Sequence, residues 1–213
     1  MKKGMKKFIA TVSAALACAL PVMNSFPAYA DTTTDYETYR LYFDVNKNSG
    51  VAICSINFTY DYGKVTGYNI LSVGNLGDTL HVGGGREFGT AYYINDNGNI
   101  YDAGTLFTLT AGTPGYIWDN FNSFSIIVKD QDGAELNQSL VKISTVLVGD
   151  ANDDGKVDNN DVTAIYSYLT DADLHPLNSL RGADTNRDGV VDFTDAVNIY
   201  NYLNGQIEGF YVL

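Results

Sequence analysis

Cysteine, histidine and tryptophan are nearly absent from this chain of 213 residues, which contains two cysteines, two histidines and one tryptophan. Only Cys54 lies beyond residue 30, so the rest of the chain has no partner for an internal disulfide. Its place in an apolar stretch predicts a small buried side chain. His81 is the sole histidine before residue 148, which leaves a histidine-based catalytic triad or a multi-histidine metal site in that part without its components.

Basic side chains and long apolar runs are also scarce. The chain has 13 basic and 25 acidic residues, and this balance argues against a nucleic-acid partner, which needs basic patches. Beyond residue 30 no stretch approaches the roughly 18 apolar residues of a membrane span. Residues 1–30 combine a basic start (Met1–Lys7), an apolar segment (Phe8–Leu20) and the small-residue pattern Ala28–Ala30. We therefore expect a secretory signal peptide over 1–30 and a secreted, extracellular remainder.

An acidic segment occurs twice, as Asp150–Leu169 and Asp184–Leu203, and 11 of the 20 aligned positions are identical. Each copy starts with 12 residues that have Asp or Asn at positions 1, 3, 5, 9 and 12 and Gly at position 6. A calcium ion takes six to eight oxygen ligands, and a loop with this spacing provides them. Acidic turns without a metal use the same residue types, but two copies in register favour calcium.

The spacing assigns six ligand positions to each of two calcium ions. Position 7 would contribute its main-chain carbonyl oxygen, and position 9 often acts through a water molecule. Position 12 is Asp in both loops, one methylene shorter than the usual Glu. The assigned residues are Asp150, Asn152, Asp154, Lys156, Asp158 and Asp161 in the first loop, and Asp184, Asn186, Asp188, Val190, Asp192 and Asp195 in the second.

Apolar residues at helical spacing follow each loop, whereas no amphipathic helix precedes either one. The unit is therefore a loop plus its exiting helix, made twice. Together with Leu180–Ala183 before the second loop, this arrangement resembles the dockerin module of cellulosome proteins over about Val148 to Gly205. The resemblance implies a small all-α, calcium-folded module over residues 148–213 that binds a cohesin module of a scaffoldin.

The resemblance to dockerins also implies which residues contact the cohesin, namely positions 10, 11, 17, 18 and 22 of each repeat. Because the two sets differ, we expect one binding orientation to dominate. Tyr166 and Tyr200 stand next to apolar residues, so a place in the helix core is an alternative interpretation of these two. The implied contacts are Asn159, Asn160, Tyr166, Ser167 and Asp171, and then Phe193, Thr194, Tyr200, Asn201 and Gly205.

The segment 31–147 has the pattern of β-structure. Apolar and polar residues alternate over Cys54–Tyr60, as in a strand with one buried face. Turn signals that contain Gly, Asn, Asp or Pro separate this segment from others like it. The pattern predicts a β-sandwich of jelly-roll type, with strands at Tyr39–Val45, Cys54–Tyr60, Lys64–Leu71, Thr79–Val82, Phe88–Asn95, Gly104–Ala111, Ser123–Lys129 and Leu140–Leu147.

Two interpretations of this second module remain open. Gly50–Val65 and Gly104–Thr110 weakly resemble strands of a cohesin, which implies an adaptor that contacts another dockerin protein. Alternatively, Tyr116 and Trp118 lie two residues apart, as on one strand face, and would stack on the sugar rings of a polysaccharide. A small polysaccharide-degrading enzyme is a weaker alternative, because no pattern pairs two carboxylates as glycoside hydrolysis requires.

The sequence as a whole predicts a non-catalytic, secreted assembly protein of the cellulosome type. Its calcium-binding dockerin would dock to a scaffoldin cohesin, and its β-sandwich would act as an adaptor contact or, alternatively, as a carbohydrate-binding module.

Overall fold

The computed structural model describes residues 36–61, 63–76, 79–84 and 87–210. The proposed signal peptide lies outside these residues. All eight predicted strands are present, with ends that differ by a few residues from those predicted. Their bounds are β1 Tyr36–Val45, β2 Ile53–Tyr60, β3 Thr66–Val73, β4 Thr79–Gly84, β5 Phe88–Ile94, β6 Gly104–Pro114, β7 Phe121–Lys129 and β8 Val141–Leu147.

The strands form two four-stranded antiparallel sheets. The first sheet has the order β3-β6-β1-β8, and the second has the order β4-β5-β2-β7. The pairs β1–β8, β2–β7 and β3–β6 nest around the pair β4–β5. This nesting is the pairing pattern of a jelly roll, in which strands far apart in sequence lie side by side. The predicted sandwich is therefore confirmed.

The core of the sandwich lies between the two sheets, where every second residue of a strand points inwards. Leu41 and Phe43 of β1 meet Ile56 and Phe58 of β2 in one buried cluster. The ring of Phe43 stacks on that of Phe107 with 4.3 Å between the centroids. Cys54 is fully buried in the same cluster, as its apolar surroundings predicted.

The C-terminal part is helical and has a second apolar cluster. Its helices are α1 Asn159–Thr170, the short α2 Leu180–Ala183 and α3 Phe193–Leu203. None of the helices in the described part of the chain is long and apolar enough to cross a membrane. The buried cluster consists of Val148, Ala151, Ile165, Ala183, Ala196, Ile199 and Phe210.

The helical part continues directly from β8 and packs on the outer face of the first sheet. The Val148 amide donates to the Thr38 carbonyl oxygen at 2.8 Å, one residue after β8 ends. The Phe210 amide donates to Thr38 Oγ1 at 3.2 Å. These bonds attach both ends of the helical part to the same position of β1.

Cys54 gives a direct test of the buried core. Burial raises the pKa of its thiol to about 12, so the thiol is protonated as well as inaccessible at neutral and mildly alkaline pH. We expect iodoacetamide near pH 8 to leave Cys54 unmodified in the native protein and to modify it completely in concentrated guanidinium chloride. Mass spectrometry of the peptide that contains Cys54 measures both. Rapid alkylation of the native protein would contradict the buried position.

Candidate functional site

The first acidic loop is shaped by its own carboxylate and amide oxygens. Asp150 Oδ1 accepts from the Asp154 amide at 3.1 Å, and its Oδ2 accepts from the Gly155 amide at 2.9 Å. Asn152 Oδ1 accepts from the Asp154 amide at 2.9 Å. Gly155 has a φ of 83°, which a residue without a Cβ adopts at no steric cost. The side chains at positions 1 and 3 therefore face the inside of the loop.

The residue at position 12 closes the first loop and begins the helix. Asp161 is fully buried, and its Oδ1 accepts from the Ala151 amide at 2.9 Å. Its Oδ2 accepts from the Asp158 amide at 2.8 Å, which completes a capping box with Asp158 at the start of α1. A single carboxylate thus connects the beginning of the loop, its end and the helix.

The second loop repeats this geometry. Asp184 Oδ2 accepts from the Gly189 amide at 3.1 Å, and Asp188 Oδ1 accepts from the Val190 amide at 2.9 Å. Asp195 is fully buried and accepts from the Thr185 and Asp192 amides, both at 2.9 Å. Gly189 has a φ of 86°, close to that of Gly155. The internal repeat in the sequence is therefore also a repeat of hydrogen bonds.

The loops fit a calcium ion. Asp184 Oδ1 is buried and has no hydrogen-bond partner among the described residues, which is costly for a carboxylate unless a cation binds it. Burial raises the pKa of Asp150, Asp161 and Asp184, because carboxylates removed from water resist ionisation. A hard divalent cation that prefers oxygen ligands would offset this penalty in each loop.

The residues assigned to positions 7 and 9 differ from the others in how they line the loops. Lys156 and Val190 at position 7 have exposed side chains, so only their carbonyl groups could serve the loop interior. Asp158 and Asp192 at position 9 are the N-cap residues of α1 and α3. Their Oδ1 atoms accept from the Asn160 and Thr194 amides, both at 2.6 Å. Because these carboxylates cap the helices, they are not free to turn into the loop. This is consistent with position 9, which often contacts the calcium ion through a water molecule.

The outer faces of the two helices differ in chemistry. On α3, Phe193, Val197 and Tyr200 form one exposed stripe, with 59%, 49% and 54% of their surface accessible. On α1 the corresponding exposed positions are mostly polar, except that Tyr166 is 46% exposed and its ring centroid lies 5.4 Å from that of Phe193. The interpretation of Tyr166 and Tyr200 as core residues is therefore wrong. We name the surface formed by the exposed side chains of α1 and α3 the docking face. It comprises six residues, Asn159, Thr163, Tyr166, Phe193, Val197 and Tyr200.

Sequence reasoning missed Val197. The residue stands between the buried Ala196 and the half-buried Asn198, and its position in a dockerin repeat is not one of the implied contacts. The signal was present, because Val197 follows Phe193 by four residues and precedes Tyr200 by three, which places all three on one side of a helix.

The other implied contacts are accessible to different degrees. Asp171 is exposed and ends α1. Its amide donates to the Ser167 carbonyl oxygen, and its carboxylate accepts from the Leu174 amide. Ser167 and Asn201 are half-buried, and Ser167 Oγ donates to the Thr163 carbonyl at 2.9 Å. The exposed members of the set are Asn159, Asn160, Tyr166, Asp171, Phe193, Thr194, Tyr200 and Gly205.

Tyr116 and Trp118 do not share a strand face, and that expectation is wrong. Gly115 has a φ of 74° and turns the chain into a short 3-10 helix, Ile117–Asn120. Tyr116 is exposed, whereas Trp118 is half-buried and donates from Nε1 to Thr145 Oγ1 at 2.8 Å. Its ring packs edge-on against the ring of Phe124, with 5.1 Å between the ring centroids. Trp118 therefore belongs to the edge of the core.

The C-terminal part of the chain is similar to a known family. Residues 148–204 match the family model of the dockerin type I domain. This part of the chain is similar to a dockerin, as its sequence predicted. Dockerin type I domains bind calcium in general. A non-cellulosomal cohesin from the hyperthermophilic archaeon Archaeoglobus fulgidus is similar in structure, with a TM-score of 0.36 and 13% identity over 49% of this chain and 75% of that chain. No curated protein sequence matches the chain.

Proposed function

We propose that the dockerin-like region, residues 148–213, binds two calcium ions and docks through its docking face on a cohesin module of a scaffoldin. The observation that carries this proposal is the exposed stripe of Phe193, Val197 and Tyr200 on α3, which Tyr166 of α1 extends. Apolar side chains grouped on one exposed face are typical of a surface that a protein partner covers.

Calcium would be bound by the carboxylate, amide and carbonyl oxygens assigned above, and would neutralise the charge that they concentrate. Residues 148–213 carry 12 acidic and 3 basic side chains. Without a cation these carboxylates repel one another, so formation of the loops depends on the ion. Asp161 and Asp195 are both loop residues and helix-capping residues, so an ordered loop also fixes the start of its helix. The loops thereby position the docking face.

The two halves of the docking face should contribute unequally. The apolar stripe of α3 offers aromatic and aliphatic anchors, and such residues provide most of the binding energy of protein interfaces. Asn159 and Thr163 on α1 offer mainly hydrogen bonds, which replace bonds to water and therefore contribute less. In one binding orientation α3 lies at the centre of the interface, and in the other, related to it by the internal repeat, α1 lies there. Contacts centred on α3 favour the first orientation.

We further propose that the β-sandwich is a non-catalytic adaptor and that the chain is secreted. The outward-facing residues of β1 and β6 in the first sheet are covered by the dockerin-like region, so we place the partner on the second sheet. There Asn57 pairs with Ser125 and Thr59 pairs with Ser123, and Asn57, Ser123 and Ser125 are exposed. Ile127 lies on the same side of β7 as these serines and is 41% exposed, so the face combines an aliphatic side chain with polar ones, as a surface that a protein partner covers does.

A carbohydrate contact is the second candidate for the sandwich. Tyr116 is 50% exposed. Its ring packs edge-on against the ring of Tyr39, with 5.8 Å between the ring centroids, and this contact orients the Tyr116 ring. A ring presented in this way stacks on the apolar face of a sugar. Trp118 does not take part, since its ring and its indole N–H are engaged within the sandwich.

The first prediction from this proposal concerns calcium. Asp154→Ala and Asp188→Ala each remove a side-chain ligand from one loop, so calorimetric titration should find two sites in the wild-type protein and one in each variant. Chelation should reduce the helical circular dichroism of the wild type. Asp173→Ala, an exposed aspartate outside both loops, is the matched control and should retain two sites. Fewer than two sites in the wild type would contradict the proposal.

The second prediction concerns docking, measured by biolayer interferometry on a cohesin that the wild-type chain binds in calcium. The double variant Phe193→Ala, Thr194→Ala removes an anchor and should weaken binding about 10- to 100-fold. The equivalent change in the first repeat, Asn159→Ala with Asn160→Ala, should weaken binding less than about threefold. Val197→Ala should weaken binding as well. Small losses from both pairs, with a large loss only when they are combined, would show two equivalent orientations instead.

The third prediction separates the two candidates for the sandwich. Affinity gels that contain starch, xylan or cellulose derivatives should not retard the protein if the sandwich is an adaptor. The decisive variant is Tyr116→Ala, because Trp118→Ala removes a packed ring and should lower the free energy of unfolding by about 2–4 kcal/mol. Retardation of the wild type that Tyr116→Ala abolishes, with unfolding unchanged, would establish the carbohydrate contact and reject the adaptor.

A further inference from the structure

The outward-facing residues of β1 contact the dockerin-like region along the whole strand. Tyr36 accepts a hydrogen bond from Tyr202 at its carbonyl oxygen, at 2.8 Å, and Thr38 bonds to Val148 and Phe210 as described above. Arg40, Tyr42 and Asp44 continue the same side of the strand. On the neighbouring β6, Thr108 and Thr110 also point outwards and are nearly fully buried. This side of the sheet is thus an internal interface.

Arginine is concentrated at this interface. The sequence contains four arginines, and three of them lie here. Arg181 forms a two-bond ion pair with Asp44, at 2.7 and 3.1 Å, and its guanidinium lies 4.0 Å above the ring of Tyr42. Arg187 Nη1 donates to Thr108 Oγ1 at 2.9 Å. In a chain with a large excess of acidic residues, this clustering marks a specific contact.

Arg40 makes the most informative contact, because it reaches the second acidic loop. It is fully buried, and it donates from Nη1 to the Asp184 carbonyl oxygen at 3.0 Å and from Nη2 to the Thr185 carbonyl oxygen at 3.2 Å. These are the main-chain oxygens of positions 1 and 2 of the loop. The planar guanidinium holds both at once, which a lysine ammonium cannot do with the same geometry.

The first loop satisfies the equivalent carbonyl in another way. Ala151 occupies position 2 there, and its carbonyl oxygen accepts from the Ser179 amide at 3.2 Å. Ser179 lies in the segment that joins α1 to α2. The first loop is therefore bound by its own module, whereas the corresponding donor to the second loop comes from the sandwich. Arg40 also brings a positive charge close to Asp184, one of the four carboxylates of the second loop. One calcium ion would balance only half of the charge of these four carboxylates.

We propose that the outer face of the first sheet is a docking surface for the second acidic loop of the same chain, and that Arg40 is a positioning residue that couples calcium binding in this loop to the stability of the sandwich. The inference rests on the proposed calcium site of the second loop. It predicts that calcium binding in that loop, but not in the first, depends on a residue more than a hundred positions away in sequence.

The test uses the full chain in two backgrounds, each with one loop disabled. In Asp154→Ala only the second loop retains its ligands, and in Asp188→Ala only the first. Arg40→Met, which keeps an unbranched apolar side chain but no donors, should weaken calcium binding about tenfold in the Asp154→Ala background. It should change binding less than twofold in the Asp188→Ala background. Lys142→Met removes an exposed basic residue from β8 of the same sheet and should change neither.

A second readout follows the sandwich itself. Trp118, the single tryptophan, lies in the sandwich, so its fluorescence reports the unfolding of that part. Calcium at about a hundredfold excess over Kd should raise the midpoint of the Trp118 transition by about 5–10 °C in the wild type. Arg40→Met should reduce this rise to less than half. Arg181→Gln, a milder change at an exposed position, should reduce it partly.

The outcomes distinguish this inference from the proposed function. Calcium that binds both loops without moving the Trp118 transition would overturn the coupling and leave the metal sites intact. Equal weakening by Arg40→Met in both backgrounds would also overturn it, since the effect would not be specific to the second loop. A wild-type titration without calcium binding would reject both proposals. If Arg40→Met fails to unfold cooperatively, Arg181→Gln decides, and an undiminished rise in that variant overturns the coupling.

Discussion

The structure of the C-terminal part depends on accommodating several carboxylates within each of two short loops, where like charges repel one another. Each loop turns its aspartate oxygens inwards, and the main-chain amides of the loop can satisfy only some of them. Asp184 Oδ1 shows what remains, a buried oxygen without a donor among the described residues. A cation of charge two and high coordination number would meet this demand, and the helices that follow are anchored to the same carboxylates through their capping boxes.

The repeat, the turns of the two acidic loops and the strands could be predicted from the sequence because local rules determine them. Gly155 and Gly189 mark backbone turns, and the alternation over Cys54–Tyr60 marks a strand with one buried face. The predicted strand face shared by Tyr116 and Trp118 is wrong because the environment of Trp118 depends on a turn at Gly115 and on Phe124, which belongs to the next strand. Two aromatic residues at spacing two predict a shared face only where the chain is extended.

The contact between Arg40 and the second loop could not have been predicted in the same way. An arginine at an outward position of a strand is ordinarily solvated, and nothing near residue 40 in the sequence indicates what covers it. Its burial follows from the fold of residues far along the chain, which place the carbonyl oxygens of Asp184 and Thr185 over β1. Similarly, the exposure of Tyr166 and Tyr200 became clear only once Ile165 and Ile199 were seen to fill the core between α1 and α3.

The direct passage from Leu147 to Val148 has a consequence for assembly. Two binding modules joined by a flexible linker search a volume set by the linker, and the effective concentration of one partner near the other falls as the linker lengthens. Here β8 ends one residue before Val148 bonds to β1, so the chain has no such linker. A partner on the sandwich would be held at one distance and one angle from the scaffold. Such a unit would present its cargo in a defined direction, and it would exclude neighbours whose spacing does not match.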